Sequence, residues 1–204
     1  MANSNLSART VKMVQLAILA AIMILMAFTP IGYLKTAGIE ISFMMIPVVV
    51  GAIIMGPGAG AILGGVFGAT SFIQCFGLSV FGAALLAINP IYTFILCMVP
   101  RILMGWLVGL VFKALNKTGR NKITAFGLAS LSGALFNTIF FMTFLMVLFG
   151  NTEYIKSFQG NLSLFPFLLA FVGINGLVEA IVTFIVGAAI SRALVSYIPS
   201  KENV

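Results

Sequence analysis

The stretch NPIYTFILCMVPRILMGWLVGLVFK, Asn89 to Lys113, carries one charge between its ends, Arg101, in an otherwise apolar run. About twenty mostly apolar residues cross a bilayer, and this run is longer than that. A guanidinium at such depth is costly, so it faces protein or a water-filled cavity and marks a functional site. Pro100, just before it, lacks a backbone donor and tends to open or kink a helix there. The reading is a spanning helix with Arg101 at the floor or wall of a pocket for a small solute.

Composition carries the same message outward. The 204 residues are 61% hydrophobic and 7% charged, with mean hydropathy +1.19, a balance that belongs to an integral membrane protein. No polar stretch is long enough to make a soluble domain, so residues 1–204 are read as one membrane domain. The net charge of +7 does not indicate a nucleic-acid partner, because the cations sit in short loops and tails between apolar spans. There they set topology in the lipid bilayer. The chain has no histidine, which removes the commonest general base and metal ligand. No catalytic residue and no metal site is expected. Cys75 and Cys97 lie in apolar surroundings and form no ligand pattern, and their redox state stays open.

Taken in order, six helices are expected, at about 10–28, 43–56, 58–76, 89–114, 123–149 and 164–197. The first follows Arg9 and Lys12 and ends before Pro30; it is retained rather than cleaved, since no small-x-small site closes it. Ala17 and Ala21 share one face of it and let another helix approach closely. Between helices 1 and 2, Gly38 to Ser42 alternates apolar and polar like a short extended segment, and Glu40 points inward if this loop caps a pocket. Gly56-Pro57-Gly58 is a tight turn. Gly60, Gly64 and Gly68 form a smooth face on helix 3, and Gln74 near its outer end bonds a neighbouring backbone or meets ligand. Residues 76–88 are apolar but glycine-broken and read as a re-entrant or surface loop, and 151–163 as a polar outer loop. Asn89 before Pro90 is helix-start chemistry, with Tyr92 one turn in. Lys113, Lys117, Arg120 and Lys122 place their loop in the cytoplasm, and only Lys35 and Lys156 fall on outer loops. The fold class is therefore an all-α integral membrane protein, a compact bundle of six transmembrane helices with cytoplasmic N- and C-termini.

At about 1.5 Å per residue, Arg101 and Asn175 each lie roughly eleven residues into their helices from outside, and Asn137 reaches a similar depth from inside. Glu179 sits one turn from Asn175, where it pairs with Arg101, orients it, or contacts ligand. An arginine fork suits a carboxylate, while asparagines suit amides and hydroxyls. The implied ligand is small, water-soluble and anionic, bound by Arg101, Asn137, Asn175 and Glu179 with Tyr92, Gln74, Asn89 and Glu40 nearby.

These features resemble a known family, the substrate-binding S components of energy-coupling factor (ECF) transporters, which import vitamins across the prokaryotic cell membrane. The resemblance rests on the six short-looped helices, on Ala17 and Ala21, and on the segment from Ile46 through Pro57 to Gly68. The run from Val99 to Gly105 is similar to the pantothenate-specific branch. The resemblance implies a vitamin-binding subunit with its pocket in helices 4 to 6 under a lid formed by the loop after helix 1. It also implies docking on a transmembrane T component coupled to two cytoplasmic ATPases, and Arg101 and Asn137 as ligand contacts. The chain itself carries no phosphate-binding G-x-x-x-x-G-K-[ST] motif, so ATP is hydrolysed by the partners and no cofactor is expected here. Two alternatives remain: an S component for a pyridoxine-like ligand or a queuosine precursor, and a free-standing ion-coupled carrier.

Overall fold

The computed structural model describes residues 2–29, 32–36, 39–117, 122–160, 163, 166, 173 and 176–197. Helix α1 covers Ala2–Ala27 and leads into a hairpin of β1 (Tyr33–Thr36) and β2 (Ile39–Ser42). Then come α2 (Met45–Met55), α3 (Pro57–Gln74), α4 (Val80–Ile88), α5 (Pro90–Lys117), α6 (Lys122–Phe149) and α7 (Glu153–Gln159). A last helix, α8, is described over 176–197 and contains a π-helical turn at Thr183–Gly187. Among the described residues, four helical stretches are long and apolar enough to cross a membrane: Arg9–Ala27, Pro90–Lys117, Thr124–Phe149 and Gly176–Ala193.

The core is built around α2. Its sequence is apolar on every side, which is the pattern of a helix surrounded by protein. Met45, Val48, Val49, Ala52 and Ile53 are buried against Leu63 and Phe67 of α3, Met104 and Val108 of α5, and Phe126 and Ala129 of α6. At 11 residues it is about 16 Å long, well short of a bilayer's apolar thickness. Gly56, the single residue between α2 and α3, has φ +95°, a conformation open to glycine and costly for other residues. Pro57 at the first position of α3 then restarts the helix.

A second apolar cluster fills the other end of the bundle, with Leu85, Leu96, Met142, Leu145, Phe149 and Ile155 buried together. It depends on two elements that the sequence reading treats as loops. Residues 80–88 form α4 rather than a re-entrant or surface loop, because Ser79 Oγ accepts Gly82 N at 3.2 Å and caps it. Within the expected outer loop, Thr152 Oγ1 accepts Ile155 N and starts α7, whose Ile155 is buried. Both are short helices held by a cap and by one apolar face.

The segment after α1 is extended as its alternation implies: β1 and β2 pair antiparallel, with Lys35 opposite Glu40 in the register. On α1, Leu16, Leu19, Ala20, Met23 and Ala27 pack inward. Ala17 and Ala21 lie on the exposed side, with Val14 and Ile18.

Candidate substrate site around Arg101

The site begins with glycines. Helices α3 and α5 share the most extensive interface of the bundle, because Gly60, Gly64 and Gly68 let the two backbones touch. A Cβ on Gly60 would strike Gly105 O, one on Gly64 would strike Arg101 O, and one on Gly68 would come within 2.7 Å of Cys97 O. Each four-residue step along α3 is matched by a four-residue step back along α5, so the helices are antiparallel and locked in register. Among helices in lipid such close packing replaces the hydrophobic drive that water would supply. It fixes the backbone of Arg101 directly.

The side chain is held next. Pro100 lies inside α5 without breaking it. A proline has no N–H to give to the carbonyl four residues earlier, and its ring pushes that carbonyl aside. Here that carbonyl belongs to Leu96, and Arg101 Nη1 donates to it at 2.7 Å. Side chains on a helix lean toward its N-terminus, which makes this backward reach natural. The guanidinium also lies 4.7 Å from the Phe141 ring centroid and 5.5 Å from that of Phe67. Each such cation–π contact is worth about 0.5–2 kcal/mol, more as water is excluded. Arg101 is thus gripped by rings from α3 and α6 and by its own backbone.

Asn137 sits one turn from Phe141 on the same face of α6. Its Oδ1 is buried and meets no hydrogen-bond donor among the described residues. A buried carbonyl without a donor costs about 1–3 kcal/mol, so this atom is a natural point for a ligand N–H or O–H. Glu179, on α8, accepts Ser42 N through Oε1 at 2.8 Å. The bond joins the end of the hairpin to the helix that carries the acid.

The other expected residues are more scattered. Tyr92 lies on the α5–α6 seam with its ring edge-on to Phe149, centroids 6.1 Å apart; it is 42% exposed and about 13 Å along the helix from Arg101. Asn89 Oδ1 accepts Ile91 N and Tyr92 N, both at 3.1 Å, as the cap of α5. Gln74 Nε2 donates to Ala27 O at 2.6 Å, which satisfies the last carbonyl of α1. Glu40 is placed by strand register only, and Asn175 lies outside the described residues. Phe67 and Phe141 escape a reading of sequence, since one ring among nineteen phenylalanines sends no signal. Cys75 and Cys97 are free buried thiols in contact, Sγ to Sγ 3.9 Å, with Cys97 one turn before Arg101.

A family profile described as "ECF transporter, substrate-specific component" matches residues 11–191. The chain belongs to that family. This ECF substrate-specific component is 33% identical over 187 residues to the "Pantothenate transporter PanT" of Leuconostoc mesenteroides, covering 86% of this chain and 87% of that one. It is 32% identical over 162 residues to the "Pantothenic acid transporter PanT" of Lactococcus lactis subsp. cremoris, covering 75% and 76% of the two chains. The component is a multi-pass protein of the cell membrane, and its place is in transport rather than catalysis.

Proposed function

We propose that this chain is the pantothenate-binding subunit of an ECF importer, loading the vitamin from outside and delivering it inward when docked on a T component and two ATPases. The observation that carries the reading is the guanidinium of Arg101 held against Phe141, one turn along α6 from Asn137, whose buried Oδ1 meets no donor among the described residues. Pantothenate offers a carboxylate, an amide and two hydroxyls. The carboxylate suits the planar fork of arginine, and the amide or a hydroxyl supplies what Asn137 lacks. Two relatives bearing pantothenate in their names, aligned over three quarters or more of the chain, support the same vitamin.

Around this centre the proposed site includes Asn175 and Glu179, with Tyr92, Gln74, Asn89 and Glu40 as flanking residues toward the outer face. The exposed small face of α1, Ala17 and Ala21, is the proposed contact for the T component, since small residues allow close helix approach. Both termini are proposed to be cytoplasmic, in a six-helix membrane bundle whose buried α2 is too short to span alone.

The test is binding by the purified full-length chain without ATP. Isothermal titration with pantothenate should give one site per chain, and saturating vitamin should raise thermal stability. A hundred-fold excess over Kd corresponds to about 2.7 kcal/mol. Parallel titrations use pyridoxine and a deazapurine precursor of queuosine. Binding of either in place of pantothenate would reassign the ligand, and uptake in cells lacking T and ATPase subunits would make the chain a self-sufficient carrier.

A further inference from the structure

We infer that Pro100 is a positioning residue for ligand binding: by withholding an N–H from Leu96 O, it creates the acceptor that holds Arg101 in its working pose. This rests on the reading of Arg101 as the residue that meets the vitamin's carboxylate.

In an unbroken α-helix the carbonyl of Leu96 would receive the N–H of residue 100. Proline cannot donate, and inside a membrane protein an orphaned carbonyl must find another donor within the protein. Pro100, Leu96 and Cys97 are all buried, so bulk water does not reach that backbone. The donor it finds is the guanidinium of the next residue, Nη1 at 2.7 Å. That bond turns the side chain back along α5 toward the first turns of the helix. In this pose the guanidinium lies between Phe67 of α3 and Phe141 of α6. The backbone cannot adjust to offer the carbonyl elsewhere, because Gly64 packs on Arg101 O and Gly68 on Cys97 O. The helix continues through Pro100, so the proline's local effect is this one vacated acceptor. A residue that reads as a helix breaker thus serves to orient a side chain.

Replacing Pro100 by any residue with an N–H restores the ordinary helical bond to Leu96 O and displaces Nη1. The helix gains a bond and the arginine loses its anchor. The variants are Pro100→Ala and, closer to proline in volume, Pro100→Val, both made in the full-length protein.

Two readouts separate this from a merely structural role. In the first, without ligand, the protein carries 15N-labelled arginine, and the Arg101 side-chain resonances are assigned by their loss in Arg101→Lys. Wild type should show a slowly exchanging Nη proton of Arg101, and both proline variants should lose it. In the second, pantothenate affinity should fall about ten-fold as a pre-organised charge-assisted bond is lost. Affinity for the neutral alcohol analogue, which has no carboxylate, should stay within a factor of two. A protected Nη proton that survives in both variants overturns the inference. So does loss of that proton with pantothenate affinity unchanged, or equal weakening of acid and alcohol. If wild type binds no pantothenate, the proposed ligand fails, while the resonance experiment still decides whether Pro100 sets the arginine.

Discussion

Replacing Arg101 is the perturbation that bears most directly on the proposed ligand. Arg101→Ala removes the Nη1 bond to Leu96 O and the contacts with Phe67 and Phe141, 5.5 and 4.7 Å from the guanidinium. It also removes the positive half of the proposed pair with the vitamin. Removing one partner of a buried ion pair costs about 3–5 kcal/mol, since the other charge is left in a poor medium. At 1.4 kcal/mol per decade this is roughly a 140- to 3,700-fold rise in Kd. The free protein loses stability too, by about 1–3 kcal/mol for the abandoned Leu96 carbonyl. Stability and affinity therefore have to be read separately. Arg101→Lys keeps the charge but not the planar fork, and should fall between wild type and Arg101→Ala. The assay is calorimetric titration with pantothenate and its neutral alcohol, with the fluorescence of Trp106, the one tryptophan in the chain, as a second probe. The loss should be large for the acid and at most a few-fold for the alcohol. An Arg101→Ala protein that is folded and binds pantothenate within three-fold of wild type refutes the carboxylate role.

Three further substitutions test the surrounding geometry. Asn137→Leu removes a buried acceptor that has no donor among the described residues, so the ligand-free melting temperature should hold or rise while affinity falls about ten-fold; a drop in stability with affinity unchanged contradicts that role. Gly64→Val drives a side chain into the Arg101 carbonyl and should destabilise by about 1–3 kcal/mol or more, measured by thermal unfolding in detergent. A variant as stable as wild type would show that the α3–α5 seam is looser than described. Glu179→Ala takes away the acceptor for Ser42 N, and that amide should exchange with deuterium about ten-fold faster or more. Unchanged protection at Ser42 would mean the carboxylate does not hold the hairpin.

Signals that act within a few residues were readable in the sequence. Gly60, Gly64 and Gly68 announce a close helix contact, and they make one. Asn89-Pro90 announces a helix start, and Asn89 caps it. The alternation ending at Ser42 announces an extended segment, and β2 is there. The two short helices α4 and α7 were hidden because each is capped by a lone hydroxyl and stabilised by contacts distant in sequence. Leu85 and Ile155, seventy residues apart in the chain, bury each other's neighbourhood, and no local period reports that. The same limit applies at the site. Sequence puts Arg101 and Asn137 at similar depth, but not the aromatic rings on the guanidinium, nor the choice of Leu96 O as its anchor. Sequence allows Gln74 either a bond to backbone or a place facing ligand; the structure records the bond to Ala27 O.

That bond between Gln74 and Ala27 has a mechanical consequence. It ties the last carbonyl of α1 to the end of α3, and α3 is fused through its glycines to the helix bearing Arg101. A push delivered sideways to the outer surface of α1 therefore cannot be absorbed by that helix alone. It is shared with α3, so on the proposed reading a partner docked on Ala17 and Ala21 bears on the helix that carries Arg101.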